Sequence, residues 1–455
     1  MVNIKVAGAG AGKTTNMSDS IIKSYNNSLP HRNIYCIAFT NNASDNIKEK
    51  IKLKLGCIPN RIKISTIHSF LYQEIIKPYY FLLFNKDYKK VSSIELPSNP
   101  KWANYKINEL DKNDILHIKV IPQRAKWVFV KKSSDTSAQK EARKTIQSTF
   151  LEYCESIFID EAQDIDKDFF EILNNFITLG INVNIVGDPK QDLKGFGKLD
   201  ELISKYGNNV EYINTCHRCP SNHINLSNSI VDDLQKQNSD KLNGKISIVF
   251  ESEINVSYFI ESSNFDLKYI SQKNSIFNTQ NNTTYFENET LFYELETALK
   301  EILSDKDMNK LSSAAYFYAD RLSSANAKNK NEDKTLREVF PHLRFSPAQY
   351  ARICNAMKLS ACADSSGICV SSIEKIKGQE GYNCLFILTN DLASYLFQEK
   401  KGNNKTKNKL YVALTRSLKN ITLLITKEVE KKYSKEYICN FLSKFSEINL
   451  LKEIN

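Results

Sequence analysis

The sequence contains no long apolar run and no export pattern. No stretch of about 18 or more apolar residues occurs in the chain, so no membrane-spanning helix and no membrane partner are predicted. The start of the sequence has no charged segment followed by an apolar one, which excludes a secretory signal. The ten cysteines are scattered through a chain of 455 residues, which is too large to need disulfide bonds. We therefore predict reduced thiols and a cytoplasmic location.

Patterns of zinc and nuclease chemistry are also scarce. Cys216 and Cys219 form one C-x-x-C pair, but no second pair stands at the spacing of a zinc ribbon or finger. A metal site at this pair is therefore the less favoured interpretation. No Ser–His–Asp arrangement and no paired-carboxylate nuclease cluster is identifiable in the sequence. The chain is thus predicted to cut nothing itself.

Positive charge is in moderate excess. The chain has 62 Lys and Arg against 52 Asp and Glu, a formal net charge of +10, which suggests an acidic partner such as nucleic acid. Residues 76–149 alone hold fifteen Lys or Arg and seven Asp or Glu. Within them, Gln123–Lys132 interleaves cations with aromatic residues. That pattern is typical of a nucleic-acid groove and equally of an alternating strand with one solvated face.

A glycine-rich loop, GAGAGKTT, stands near the start of the sequence. It lies between a predicted strand, Asn3–Ala7, and a helix predicted to begin at Thr14, which is the arrangement of a P-loop. Its glycines allow backbone N–H groups to curl around phosphate oxygens, and the helix N-terminus adds partial positive charge. Lys13 can reach the β- and γ-phosphates, and the Thr14 hydroxyl can bind Mg²⁺. The predicted nucleotide-binding residues of the loop are Gly8, Gly10, Gly12, Lys13, Thr14 and Thr15.

A second predicted strand ends in two carboxylates. In the segment SIFIDEAQD, Ser156–Asp164, three apolar residues run directly into Asp160 and Glu161. If this strand belongs to a parallel sheet, both carboxylates lie at the carboxyl edge of the sheet, where ligands bind. Asp160 would then bind Mg²⁺, directly or through water. Glu161 would orient and deprotonate the attacking water.

With these two elements, further segments resemble, in order, the motifs of superfamily 1 DNA helicases of the UvrD/Rep/PcrA type. The matching segments are Ile37–Ser44 (IAFTNNAS), Ser65–Phe70 (STIHSF), Val186–Gln191 (VGDPKQ), Thr215–Arg218 (TCHR), Lys377–Glu380 (KGQE) and Lys409–Arg416 (KLYVALTR). The resemblance implies an α/β fold with two RecA-like parallel-sheet domains and smaller, largely helical subdomains inserted into them. ATP with Mg²⁺ would bind in the cleft between the two domains.

The same resemblance implies four regions along the chain. Residues 1–75 and 150–212 would form the first RecA-like domain, and residues 213–265 and 365–455 the second. Residues 76–149 would be a basic insert, and residues 266–364 a reduced second insert. Closure of the two domains around the nucleotide would bring residues of the second domain to the phosphates of ATP.

The resemblance also assigns catalytic roles. Gln191 would sense the γ-phosphate, and Arg218 and Arg416 would act as arginine fingers on it. That role requires a planar, permanently charged donor, because charge builds up on the phosphoryl oxygens in the transition state. A solvated surface cation is the alternative for each arginine. His217 stands where relatives carry a tyrosine that stacks on adenine, and Glu380 would contact the ribose.

Single-stranded or tailed DNA is the macromolecular ligand that the family implies. Phe196 stands where relatives have an aromatic residue that stacks on a base; a core aromatic is the alternative. The residues that the resemblance implicates in DNA binding are Phe39, Thr40, Asn41, His68, Ser69 and Phe196.

Two functions fit these motifs. The first is an ATP-driven translocase or helicase that moves 3′ to 5′ on single-stranded DNA. The second is a DNA- or nucleotide-sensing ATPase subunit that regulates a partner nuclease without robust unwinding. Compact UvrD-like chains of this size resemble the helicase component of the bacterial Gabija anti-phage system, whose partner is an OLD-family nuclease. Relatives also carry a glutamine-containing adenine reader before the P-loop, so we expect weaker discrimination between ATP and other nucleoside triphosphates.

Overall fold

The computed structural model describes residues 2–97, 99–130, 132–279, 284–303, 308–329, 331–360 and 368–451. Lys131 of the basic stretch and parts of the predicted second insert lie outside these ranges. Among the described residues, each helix is too short or too polar to span a bilayer.

Strands alternate with helices along much of the chain, as expected for parallel sheets with helical connections. The strands are β1 (Val2–Ala7), β2 (Asn33–Ala38), β3 (Ile62–Thr66), β4 (Lys90–Ser92), β5 (Ile115–His117), β6 (Cys154–Ile159), β7 (Asn182–Gly187), β8 (Val210–Ile213), β9 (Thr215–Cys216), β10 (Asn238–Ser239), β11 (Lys245–Phe250), β12 (Leu267–Ile270), β13 (Phe277–Thr279), β14 (Ile368–Ser372), β15 (Gly381–Leu388), β16 (Ser417–Ile425) and β17 (Ile448–Leu450).

The helices connect these strands, and most of them bury one apolar face against a sheet. They are α1 (Lys13–Asn27), α2 (Asn41–Leu55), α3 (Ile67–Phe70), α4 (Lys77–Phe84), α5 (Pro100–Lys112), α6 (Ile121–Phe129), α7 (Ser137–Tyr153), α8 (Lys167–Thr178), α9 (Lys198–Lys205), α10 (Ser221–Asn228), α11 (Val256–Ser262), α12 (Thr284–Leu303), α13 (Met308–Asn329), α14 (Glu332–Val339), α15 (Pro347–Ser360), α16 (Asn390–Leu396), α17 (Lys405–Leu414), α18 (Lys427–Lys432) and α19 (Lys435–Ser443).

The first sheet has six strands in the order β3-β2-β6-β7-β1-β8, and each neighbouring pair is parallel. Apolar side chains dominate the central strands: Ile34, Ile157 and Ile185 are fully buried. Such apolar runs are typical of strands covered by helices on both faces. Because all six strands are parallel, their carboxyl ends lie at one edge of the sheet.

The second sheet has seven parallel strands in the order β13-β14-β12-β15-β16-β11-β17. Its core includes Phe386 and Leu423 of the central strands, and α19 adds Ile438, Phe441 and Leu442. The apolar stripe of α19 therefore serves core packing. Together the two parallel sheets confirm the predicted pair of RecA-like domains.

Both sheets belong to the larger of two compact units, which comprises Met1–Asn85, Pro122–Thr279 and Ile368–Asn455. The smaller unit comprises Lys86–Ile121 and Gln280–Gly367, so it draws on both of the predicted inserts. Its core is formed by residues of α12 to α15. An ion pair with an N–O distance of 3.3 Å joins Lys106 of α5 to Glu294 of α12. The domain bounds proposed from the sequence stay predictions.

The basic stretch Gln123–Lys132 contains the end of helix α6, so the interpretation as an alternating strand is wrong. The reason lies in its apolar spacing: Ile121, Ala125, Val128 and Phe129 are buried and share one helical face. Trp127, by contrast, is flanked by two cations. The Arg124 guanidinium lies 4.2 Å and the Lys132 ammonium 3.9 Å from the centre of its ring system.

Candidate active site

The predicted site residues of the first sheet follow the carboxyl ends of five parallel strands. The P-loop follows β1, Asp160 and Glu161 follow β6, and Gln191 and Phe196 follow β7. The predicted DNA-binding residues follow the other two strands: Phe39, Thr40 and Asn41 come after β2, and His68 and Ser69 after β3. The sheet order thus gathers residues far apart in sequence at one edge, where ligands of open α/β sheets bind.

The P-loop has the backbone that its glycines permit. Gly10 and Gly12 have φ of 68° and 71°, in the left-handed region that glycine adopts without strain. Gly12 immediately precedes α1, so the first helical N–H groups open toward the loop. The Thr15 hydroxyl accepts a hydrogen bond of 2.5 Å from Lys50. The loop therefore combines a left-handed turn with a helix N-terminus, a combination suited to an anion.

The two carboxylates after β6 differ in surroundings. Asp160 is almost fully buried, and its Oδ1 accepts a 3.0 Å hydrogen bond from the Glu161 N–H. Burial and the adjacent Glu161 carboxylate raise the pKa of Asp160. For Glu161, burial would raise the pKa, but the positive charges of Lys13 and then Lys377 outweigh it and lower the pKa. Lys13 Nζ lies 3.8 Å from Glu161 Oε1, so an ionised Glu161 faces the P-loop lysine.

Gln163 and Asp188 hold the neighbouring side chains in place. The Gln163 amide donates to the Glu161 carboxylate, and its Oε1 accepts from the Asp188 N–H at 3.0 Å. The Asp188 carboxylate in turn accepts from Gln191 Nε2 at 2.9 Å and pairs with Lys190 Nζ at 3.0 Å. Glu161 and Gln191 are therefore linked through a buried polar network.

The segment that carries His217 and Arg218 lies against the P-loop. The His217 N–H donates to the Gly10 carbonyl at 2.9 Å. A Cβ atom on Gly10 would lie 2.4 Å from the Cβ of Arg218, so position 10 requires glycine for this approach as well as for its φ. The side chain of His217 is exposed. Arg218 Nε forms an ion pair with Glu380 Oε2 at 2.6 Å, which brings two of the predicted ATP-binding residues together.

Arg416 is buried rather than solvated, which excludes the surface-cation alternative for this residue. Its exposed fraction is 1%, and its guanidinium donates to the carbonyls of Val412 at 3.0 Å and Gln379 at 3.3 Å. Burial and then the nearby charge of Arg218 lower the pKa of Arg416. Two guanidinium groups of the second domain are therefore close enough to interact.

The predicted DNA-binding residues are largely accessible. Thr40 and Asn41 are exposed at the start of α2, where the Thr40 hydroxyl accepts from the Ala43 N–H, and His68 and Ser69 are exposed at α3. Phe39 is half-buried. Phe196 is 37% exposed, with Lys194 Nζ 5.6 Å from its ring centre, so it is not the core aromatic that the sequence left as an alternative.

The C-x-x-C pair is buried beside this site. The Cys219 N–H donates to Cys216 Sγ at 3.4 Å, and the Cys219 thiol donates to the Thr415 carbonyl at 3.5 Å. The Cys219 hydrogen bond lowers the pKa of Cys216 to about 6. Within the described ranges, no group of three or more His, Cys, Asp or Glu side chains could hold a metal ion.

Several residues of the site carried no assigned role in the sequence interpretation. Lys377 and Asp164 form an ion pair, and Gln237 and Tyr411 contact the P-loop at Ala9. Tyr411, Lys377 and Asp164 lie within quoted motifs, so their positions carried a signal. Gln237 lies outside every motif, and only the folded chain reveals its place.

Comparison with known proteins agrees with this architecture. Residues 2–197 match the AAA domain family. The two parallel sheets and the motif residues at their edges define the class as a P-loop NTPase of the UvrD-like helicase type.

Among individual proteins, the chain is similar to Gabija protein GajB of Bacillus cereus (strain VD045). The two are 29% identical over 251 residues, which cover 52% of this chain and 48% of that protein. The chain thus spans about half the length of the curated relative that it matches. The resemblance to a UvrD-like helicase of the Gabija kind is confirmed.

Solved structures of the Arterivirus nonstructural protein 10 helicase also align with the chain. The complex with DNA has a TM-score of 0.38 and 10% identity, covering 97% of this chain and 63% of that one. The crystal structure of the helicase alone has a TM-score of 0.36 and 9% identity, covering 98% and 62%.

Proposed function

We propose that this chain is an ATP-dependent translocase or helicase that moves 3′ to 5′ on single-stranded DNA. The observation that carries the proposal is the meeting of the P-loop with the arginine-bearing segment of the second domain. The His217 N–H reaches the Gly10 carbonyl at 2.9 Å. A nucleotide held by the P-loop would therefore be flanked by Arg218.

In this proposal each charged group has a distinct task in ATP hydrolysis. Lys13 neutralises the β- and γ-phosphates, and Glu161, ionised because its pKa is lowered by Lys13 and Lys377 against the effect of burial, orients water and accepts its proton. Gln191 senses the γ-phosphate. Arg218 and Arg416 stabilise the charge that builds up on the transferred phosphoryl group. Glu380, paired with Arg218, would contact the ribose, and His217 the base.

The residues present also fit a magnesium ion. The Thr14 hydroxyl and the Asp160 carboxylate are hard oxygen donors of the kind that Mg²⁺ prefers. Asp160 is 2% exposed, and its raised pKa, caused by burial and the adjacent Glu161 carboxylate, indicates a carboxylate in need of a counter-charge. When bound, Mg²⁺ would neutralise charge on the phosphate oxygens. Thr14 and Asp160 would hold it between the P-loop and β6.

DNA would run along the exposed carboxyl edge of the first sheet. Phe39, Thr40 and Asn41 after β2, and His68 and Ser69 after β3, would contact the strand. Phe196 would stack on a base, an interaction worth about 1–3 kcal/mol that does not depend on sequence. Opening and closing of the two domains during the ATP cycle would move the strand past this stacking residue.

The second candidate is a DNA- or nucleotide-sensing ATPase that regulates a partner nuclease in anti-phage defence. The similarity to Gabija protein GajB favours it. The partner in this proposal is an OLD-family nuclease. The ATPase machinery is the same in both candidates, so strand separation distinguishes them.

The deciding experiment measures ATP hydrolysis with and without single-stranded DNA, then strand separation on duplexes with a 3′ or a 5′ tail. Lys13→Met serves as the inactive control. DNA-stimulated hydrolysis with unwinding from the 3′ tail supports the helicase. Stimulated hydrolysis without unwinding refutes it and leaves the sensor, for which co-purification with an OLD-family nuclease is the next test.

A further inference from the structure

Ala9 in the P-loop is held at both of its backbone polar groups by side chains of the second domain. Its N–H donates to the Tyr411 hydroxyl at 3.0 Å, and its carbonyl accepts from Gln237 Nε2 at 3.1 Å. The Tyr411 hydroxyl donates in turn to Gln237 Oε1 at 2.8 Å. Each donor therefore has one acceptor, and the three residues close a ring of hydrogen bonds.

The ring is sealed from solvent. Ala9 is 1% exposed, and Gln237 and Tyr411 are each 2% exposed. Buried polar groups that lose a partner cannot turn to water, so removing one member leaves the others unsatisfied. Gly8 shows how tight the contact is, because a Cβ on that residue would lie 2.2 Å from the Gln237 carboxamide carbon. Position 8 thus requires glycine because Gln237 approaches there.

The two side chains come from the segments that carry the arginines. Gln237 precedes β10, which pairs with β9, the strand that leads into Arg218. Tyr411 lies on α17, which ends two residues before Arg416. The ring therefore connects the P-loop backbone, by short paths, to both arginines. A shift of the P-loop relative to these segments would break the ring.

The geometry points to Gln237 and Tyr411 as positioning residues that hold the P-loop at Ala9 in register with Arg218 and Arg416. They act through the Ala9 backbone and contact no phosphate. This inference rests on the proposed function, in which that loop binds ATP. It adds that hydrolysis requires the ring, because the arginines stabilise the transition state only when the loop is held in register with them.

Hydrogen–deuterium exchange of the full chain without nucleotide tests the contact directly. The variants are Gln237→Met and Tyr411→Phe. Tyr269→Phe is the matched control, since it removes a buried tyrosine hydroxyl of the same domain that donates to the Ala413 carbonyl at 2.8 Å. We expect exchange of the peptide that contains Ala9 to become about two- to tenfold faster in both ring variants, the range that one lost hydrogen bond allows. The control leaves that peptide unchanged.

Kinetics supply the functional half of the test. Each ring variant should lower kcat for DNA-stimulated ATP hydrolysis by about two- to tenfold while KM for ATP stays close to that of the wild type, because the lost interaction acts on the transition state. The double variant should be no worse than the more affected single variant. If one variant fails to fold, the other carries the same test.

The outcomes separate this inference from the proposed function. Unchanged exchange at Ala9, or an equal change in Tyr269→Phe, overturns the inference even when ATP hydrolysis is present. Faster exchange with an unaltered kcat overturns the positioning role and leaves the contact as a structural one. A wild-type chain without ATPase activity refutes the proposed function, while the exchange result still decides whether the ring holds the loop.

Discussion

Lys377 and Asp164 form an ion pair that joins the two parallel-sheet domains. Lys377 Nζ lies 2.7 Å from Asp164 Oδ2, and the two side chains are 17% and 11% exposed. Lys377 lies between β14 and β15 of the second sheet, and Asp164 lies just after β6 of the first. With Lys13, Lys377 also outweighs the effect of burial on the pKa of Glu161. The pair thus links the contact between the domains to the charge of the proposed catalytic base.

Breaking this pair should weaken the contact between the domains. A double-mutant cycle with Lys377→Met and Asp164→Asn, followed by denaturant unfolding, should give a coupling energy of about 1–3 kcal/mol, since the side chains are mostly but not fully buried. The exposed pair of Lys432 and Glu399 is the control and should show a much smaller coupling. A coupling at Lys377 no larger than the control would contradict the account.

Removing either arginine should impair hydrolysis more than ATP binding. Arg218→Ala and Arg416→Ala are each expected to lower kcat about 10³-fold, the lower range for arginine fingers in related phosphoryl transfer. Arg32→Ala is the control, because Arg32 lies just before β2, at the opposite edge of the sheet, and pairs with Glu155. Steady-state kinetics with separate measurement of ATP binding check this. Normal kcat in either variant would remove that arginine from the proposed mechanism.

Phe196→Ala should weaken binding of single-stranded DNA. Loss of one stacked base costs about 1–3 kcal/mol, and the effect should be similar for different DNA sequences. Tyr212→Ala is the matched control, since Tyr212 is 36% exposed against 37% for Phe196 and lies on the edge strand β8. Phe196→Trp should preserve affinity. Equal losses of affinity in the two alanine variants would indicate that Phe196 does not stack on DNA.

The stability of the fold should decline in mild acid because of His223. This histidine is 1% exposed, and burial lowers its pKa from 6.5 to about 4. Between these two values the unfolded chain binds a proton that the folded chain does not, so stability is lost as pH falls from 6.5 toward 4. The lost free energy of unfolding reaches roughly 3 kcal/mol at the lower end.

Thermal unfolding between pH 7 and pH 4 in the wild type and in His223→Gln tests this expectation. The variant should show a shallower decline in Tm over this range, whatever its stability at neutral pH. His31, which is exposed, supplies the control variant His31→Gln, and its decline should match that of the wild type. Parallel declines in wild type and His223→Gln would contradict the assignment.

Much of the fold follows from local sequence. The apolar run before Asp160 predicts a strand, and the glycine loop before Thr14 predicts a turn into a helix; both are present as β6 and α1. The order of the motifs along the chain implied two parallel-sheet domains, which the structure confirms. Periodicity failed for Gln123–Lys132, where interleaved cations and aromatics masked the helical spacing of Ala125, Val128 and Phe129.

Contacts between distant segments could not be predicted in the same way. The ion pair of Arg218 with Glu380 joins residues 162 positions apart, and no local pattern encodes such a pairing. Gln237 makes the point more strongly, since its place beside Ala9 depends on the packing of β9 and β10 against the P-loop. Neither its residue type nor its neighbours in sequence indicate a role.

The most direct test of the central claim is ATP hydrolysis by the wild type and Glu161→Gln, each with and without single-stranded DNA. ATP binding is measured on the same preparations. We predict hydrolysis by the wild type that DNA accelerates, and a loss of about 10²- to 10⁴-fold in the variant, because the amide cannot accept the proton of water. ATP binding should be retained. Undiminished turnover in Glu161→Gln would contradict the account.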